Sequence, residues 1–138
     1  MIIIDDCYQF LHHDFNKLNE LNSLLENTEK YEGFDIVLCN PPYISARSMS
    51  SRLTRESSSA LVGGYSGYEV YDSICRSLRS APQILKRGGY VVFQLSAAEN
   101  AYRSVSEIIK NHKFILKDSI VEEDRGVQRG IIFSVENT

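Results

Sequence analysis

No stretch of this sequence approaches the roughly 20 consecutive apolar residues a membrane span needs. The opening run, Met1 to Ile4, passes at once into Asp5 and Asp6 and makes a poor secretory leader. Nor is there a basic excess: 15 Lys and Arg stand against 18 Asp and Glu, a net charge of -3. The densest basic stretch, Arg47, Arg52 and Arg55, is sparse beside the stripe of a dedicated nucleic-acid binder, so charge does not argue for one. The cysteines, Cys7, Cys39 and Cys75, are odd in number and far apart, with no CxxC pair and no disulfide framework. Cys7 with His12 and His13 is a poor metal set, because neighbours on a strand point to opposite faces and no fourth ligand is near. No metal is expected. Internal repeats and long low-complexity tracts are also missing. These absences point to a reduced intracellular setting, cytoplasmic or mitochondrial, without membrane insertion.

What is there suits one compact domain. The chain has 138 residues, of which 43% are hydrophobic and 24% charged, an ordinary globular balance. Gln9 to His13 reads as a short strand ending at Asp14, and Asn16 is placed to cap a helix carrying Leu18, Leu21 and Leu25 on one face. Phe34 to Cys39 is a near-continuous apolar run, suited to a parallel strand covered on both faces. Residues 45–59 are serine-rich and read as a surface loop. From Gly67 a helix is expected, with Tyr71, Ile74, Cys75 and Leu78 at i, i+3, i+4 and i+7. Pro82 is expected to open a second short helical turn that Arg87-Gly88-Gly89 closes.

Tyr90 to Leu95 is the second buried strand. Ser96 to Glu99 has capping-box spacing for a helix in which Tyr102, Val105 and Ile109 face inward. Phe114 to Val121 and Gly130 to Val135 are expected to pair antiparallel across the charged turn Glu122 to Arg129. Alternation of this kind indicates an α/β domain with a mainly parallel sheet and a C-terminal antiparallel pair. Ligands of such sheets collect at the carboxyl ends of the strands, where Asp14 and Asn40 to Tyr43 are expected.

The stretch "FDIVLCNPPYI" concentrates the chemistry. Two prolines give a strand ladder no N–H groups, so the strand stops and leaves a rigid corner. The Asn40 side-chain oxygen and the Pro41 carbonyl are both acceptors, able to take the two hydrogens of a planar –NH2 group, while Tyr43 stacks on its flat face. Two such hydrogen bonds draw electron density onto an otherwise delocalised nitrogen. With an activated methyl group in line, transfer then becomes largely a matter of proximity. The simpler alternative is a turn in which Asn40 caps the strand and Tyr43 packs. A four-residue string closing a buried strand is far more specific than a bare Asn-Pro.

With those residues in view, the chain resembles the S-adenosylmethionine-dependent amino-methyltransferases that carry Asn-Pro-Pro-Tyr. More narrowly, it resembles the HemK/PrmC family, which methylates a glutamine side chain of a peptide chain release factor. "RESSSALVGGYSGYEVYDSI", "LKRGGYVVFQLS" and "EEDRGVQRGIIF" resemble that family's Gly-Gly-x-x-Gly stretch, next strand and closing hairpin. Two departures are Ser57, where relatives usually carry proline, and the non-acidic strand ending "FQLS". The resemblance implies a partial Rossmann-like class I methyltransferase sheet and S-adenosyl-L-methionine as cofactor. It also implies catalytic roles for Asn40, Pro41 and Tyr43, with Pro42 joining them in substrate binding. Asp14 resembles the acid that contacts the adenine amino group, and Phe15 a residue bordering the adenine; the resemblance implies that Asn40 touches cofactor as well as substrate. A helix N-terminal role for Asp14 and core packing for Phe15 are the alternatives.

The family's Gly-x-Gly turn and ribose-holding acid have no counterpart before Asp14, where thirteen residues are too few for two strands and two helices. Asp5 and Asp6 lie too close to serve, and "ALVGGYSGYEVY" reads as a turn near the substrate pocket. The expectation is the C-terminal part of a single methyltransferase domain spanning residues 1–138, truncated at its N-terminus and without the substrate-docking domain. The alternatives are an adenine amino-methyltransferase acting on nucleic acid, which charge disfavours, and an inert fragment that only binds a partner.

Overall fold

In the computed structural model, residues 2–5, 8–26, 32–42 and 67–135 are described. The expected loop over residues 45–59, the glycine stretch before Gly67 and Tyr43 lie outside them. The chain opens with β1 (Ile2–Asp5) and β2 (Tyr8–Phe10), a 3-10 turn (Phe15–Lys17) and α1 (Leu18–Glu26). Then come β3 (Phe34–Cys39), α2 (Glu69–Ser80), β4 (Leu85–Gln94), α3 (Ala101–Asn111), β5 (Ile115–Glu122) and β6 (Val127–Ser134).

The four-stranded sheet has the order β3-β4-β6-β5, with β3 and β4 parallel and the two remaining ladders antiparallel. This is the α/β class expected, with the C-terminal antiparallel pair in place. Parallel pairing is limited to the one ladder because β3–α2–β4 is the one crossover unit that feeds the sheet among the described residues. The expected first strand departs from this plan: β2 pairs antiparallel with β1 in a separate two-stranded sheet. Chain proximity favours that local hairpin, since it closes a far shorter loop than joining β3 would.

Gly33 fixes the entry to β3. Its φ of +99° suits glycine, and a Cβ there would stand 2.7 Å from the Lys86 nitrogen and 2.9 Å from the Leu85 carbonyl carbon. Phe34 N–H donates to the Ile84 carbonyl at 2.8 Å. The register then jumps, Phe34 facing Leu85 and Ile36 facing Tyr90, so Lys86 to Gly89 bulge from the ladder. The helical turn expected from Pro82 is therefore a plain turn, and β4 already runs through Arg87-Gly88-Gly89.

One face of the sheet is covered. Tyr71, Ile74, Cys75 and Leu78 of α2 and Val105 and Ile109 of α3 pack on Val91, Phe93, Ile131 and Phe133. Phe93 meets Tyr71 and Phe133 edge-on, at ring separations of 5.2 and 4.9 Å, a favoured aromatic geometry. Asp72 Oδ1 lies 2.7 Å from His112 Nε2, joining α2 to the end of α3. The helix spacing read from the sequence over Tyr71 to Leu78 is the spacing of this buried face. Ser96, however, does not cap α3: Asn100 occupies that position, and Ser96 Oγ instead accepts from the Ala98 N–H at 3.4 Å.

The other face differs from expectation. Phe34, Ile36 and Leu38 of β3 point away from the helices, with Ile36 56% and Leu38 76% exposed. Beside them, Tyr90 is 42% and Ile120 49% exposed. The apolar run of β3 is thus covered on one face, through half-buried Val37 and Cys39.

Candidate functional site

β3 delivers the Asn-Pro-Pro corner to the carboxyl end of the one parallel ladder. Cys39 lies opposite Phe93 in register, so Asn40 emerges beside the end of β4. Asn40 is exposed, Pro41 is buried and Pro42 half-buried. The buried pyrrolidine anchors the corner while leaving the amide free to meet a ligand. Tyr43 lies outside the described residues, so its expected stacking role stays a proposal.

Asn40 borders a cavity of about 320 Å3, shared with Leu38, Val92, Gln94, Ile120 and Arg129. Gly130 forms its floor, where a Cβ would come within 3.1 Å of the Ile120 side chain. A larger cavity of about 520 Å3 lies at the opposite ends of the strands, against Arg79, Lys86, Arg87 and His112. It contains none of the candidate catalytic, substrate-binding or cofactor-binding residues read from the sequence, and chemistry at strand carboxyl ends favours the smaller one.

Arg129 went unremarked in the sequence beyond its place in the closing hairpin. Its Nε donates to the Leu95 carbonyl at 3.0 Å and its Nη1 to Glu122 Oε2 at 3.3 Å. The Leu95 N–H returns a bond to the Arg129 carbonyl at 2.8 Å. The guanidinium therefore has a fixed position at the cavity with donors to spare. Its signal was weak: one arginine in a hairpin, between Gln128 and Gly130.

Asp14 and Phe15 stand elsewhere. Asp14 Oδ1 accepts from the Asn16 N–H at 2.9 Å, making Asp14 the cap of the 3-10 turn, a role expected for Asn16. Phe15 is 41% exposed, and its carbonyl accepts from buried Ser77 Oγ at 2.6 Å, tying the turn to α2. Neither lines the Asn40 cavity. Asp14 has the helix N-terminal role of its simpler reading, whereas Phe15, 41% exposed, does not have the core packing of its own.

Burial pushes the Cys39 thiol up to about 11. It raises Cys75 to about 12, with the Asp72 carboxylate adding to the effect. Cys39 is thus a protonated neighbour of the motif at neutral pH, not a nucleophile. Among the described residues no group of three or more His, Cys, Asp and Glu is arranged to hold a metal, and no helix is long and apolar enough to cross a membrane.

A polar corner at the carboxyl end of a parallel ladder, backed by helices on one face, is the ligand-binding arrangement of an α/β domain of partial Rossmann-like form. The family model described as "Eco57I restriction-modification methylase" matches residues 3–123. The chain belongs to that methylase family and is HemK/PrmC-like. The release factor glutamine methyltransferase of Clostridium acetobutylicum is 35% identical over 101 residues, covering 70% of this chain and 34% of that protein. The chain spans about a third of the length of this curated relative. A solved structure of Aeropyrum pernix fibrillarin, in complex with natively bound S-adenosyl-L-methionine, aligns over 83% of this chain and 74% of that one. Its TM-score of 0.33 and 12% identity are too slight to bear on function.

Proposed function

We propose that this chain is the acceptor-binding part of a methyltransferase domain that moves a methyl group from S-adenosyl-L-methionine to a glutamine side-chain nitrogen of a peptide chain release factor. The observation that carries this is the exposed Asn40 amide, held by buried Pro41 at the carboxyl end of β3 and opening on the Arg129 cavity. At about 320 Å3, that cavity suits a primary amide and the methyl-bearing end of a donor, at the low end of small-molecule sites. Asp14 keeps a second carboxylate oxygen for an adenine amino group, but it sits on a different element.

When bound, S-adenosylmethionine supplies an electrophilic methyl group on a sulfonium sulfur. The chain's own residues do the remaining work. The Asn40 side-chain oxygen and the Pro41 carbonyl accept the two hydrogens of the glutamine –NH2 and turn its lone pair toward that methyl. With the donor bound, the C–N bond would form as the C–S bond broke, and the C–S electron pair would be left on sulfur. The nitrogen briefly carries positive charge, which the two acceptors stabilise, and then releases one proton to water. Tyr43 is proposed to stack on the amide, and Arg129 to hold a carbonyl of the substrate backbone.

The family description itself favours a second reading, adenine methylation in DNA, which uses the same nitrogen chemistry. Charge weighs against it: the net charge is -3, and Arg129, the one cation among the described residues that line the cavity, is already joined to Glu122. The test is incubation with S-adenosylmethionine bearing a labelled methyl group, a release factor and duplex DNA. It is run with the chain alone and with the portion of the Clostridium relative that this chain does not match. Label on a release-factor glutamine supports the proposal. Label in DNA, or none in either arm, overturns it.

A further inference from the structure

The larger cavity, at the start of β4 and the end of α2, differs in charge from the rest of the chain. Arg79, Lys86 and Arg87 line it, and among the described residues no carboxylate does, although the net charge is -3. Of the described arginines, Arg76, Arg103, Arg125 and Arg129 each pair with an Asp or Glu. Arg79 and Arg87 are the two without such a partner among the described residues. Lys86 meets Asp35 at 3.4 Å, a solvent-exposed contact that leaves ammonium donors over. Asp72 is engaged elsewhere, by Arg76 at 2.6 Å and by His112, another wall of the cavity, at 2.7 Å.

The helix dipole accounts for Arg79 alone, which stands in the last turn of α2, where a cation is favoured. Lys86 and Arg87 are different. Neighbours on a regular strand point to opposite faces, yet these two line one cavity. The bulge from Lys86 to Gly89 breaks the alternation. Gly88 permits it with a φ of +80°, and Gly89 lets it lie against β3, where a Cβ would stand 3.0 Å from the Phe34 and Asp35 carbonyl oxygens.

We propose that this cavity binds a small phosphate monoester with an apolar body. Two planar guanidinium groups and an ammonium suit a dianion that accepts from several donors at once, more than a single carboxylate uses. At about 520 Å3 the cavity is larger than a phosphate group alone requires. It falls within the range of about 300 to 1,000 Å3 of small-molecule sites. Buried Leu78, Leu85 and Phe114 supply an apolar wall for the remainder of the ligand. A nucleic-acid strand fits less well, because it asks for a basic stripe rather than one cationic hollow. The cavity shares no lining residue with the one at Asn40, so the proposal does not rest on the methyl-transfer reading.

The test needs no catalysis. Phenyl phosphate is titrated into the isotope-labelled chain, with inorganic phosphate and benzoate in parallel, and the amide resonances are followed. Saturable shifts are expected at Lys86 to Gly89 and around Arg79 and Phe114. Phenyl phosphate should bind at least about tenfold tighter than inorganic phosphate, which lacks the apolar body, and than benzoate, which lacks the dianion. Arg79→Gln and Arg87→Gln should each weaken it at least about fivefold at an unchanged Tm, both side chains being exposed. Lys117→Gln, which removes an exposed cation of β5 outside the cavity, should leave the affinity as it is. The absence of saturable shifts at these residues would overturn the proposal. So would equal binding of benzoate or of inorganic phosphate, or an affinity that survives both arginine substitutions.

Discussion

The Tyr71 hydroxyl donates a 2.7 Å hydrogen bond to the Gln94 carbonyl, so a residue buried in the middle of the core tethers α2 to the end of β4 beside the Asn40 cavity. This bond spans the covered face and the site at once. Tyr71→Phe keeps the ring against Phe93 and removes only the hydroxyl. It should cost about 1 kcal/mol, read as a lower urea midpoint at an unchanged slope. A midpoint equal to that of the unsubstituted chain would show that the tether contributes nothing.

Gly33 and Gly88 separate crowding from backbone strain. Both have positive φ, but a Cβ on Gly33 meets the Lys86 backbone at 2.7 Å, while nothing lies within 4 Å of one on Gly88. Gly88→Ala should cost about 1 kcal/mol and Gly33→Ala about 3 kcal/mol, the difference being the steric conflict. Parallel denaturant titrations would check this, and equal losses would contradict the tight approach of β3 and β4.

The buried thiols make a pH prediction. Cys39 rises to about 11 and Cys75 to about 12 from an ordinary 9.0, so the folded chain holds both protons after the unfolded chain has lost them. Stability from these groups is complete below pH 9 and declines as pH rises from about 9 toward 11 to 12. In the same way, alkylation of Cys39 by iodoacetamide at pH 8 should run about a hundredfold slower than that of an unfolded control. Comparable rates would mean the thiol is neither shielded nor desolvated.

Asn40 is exposed, so Asn40→Ala should leave stability within about 0.5 kcal/mol while cutting methyl transfer by at least about a hundredfold. Asn40→Asp should be as damaging. It keeps an acceptor oxygen but loses the amide donors. Single-turnover rates at saturating donor would separate this from a loss of affinity.

How much of this was legible in the sequence depended on whether a signal was local. The α2 face over Tyr71 to Leu78 was readable because helical spacing and burial coincide there. The Asn-Pro-Pro corner was readable because two prolines can end a strand in few ways. Asp14 was placed at the end of a parallel strand, yet β2 pairs locally with β1, and pairing partners are not written in a three-residue run. β3 illustrates the reverse case. Its apolar run read as a strand covered on both faces, while the described residues cover one. Arg129 escaped notice because its importance arises from Leu95 and Glu122, 34 and 7 residues away, and from the cavity they share with Asn40.

The most direct measurement is mass spectrometry of release-factor peptides after incubation with S-adenosylmethionine and the chain, alone and together with the portion of the Clostridium relative it does not match. The account predicts the gain of one methyl group on a glutamine side chain, absent with Asn40→Ala. Methylation confined to DNA adenine, or a glutamine signal that survives Asn40→Ala, would contradict it.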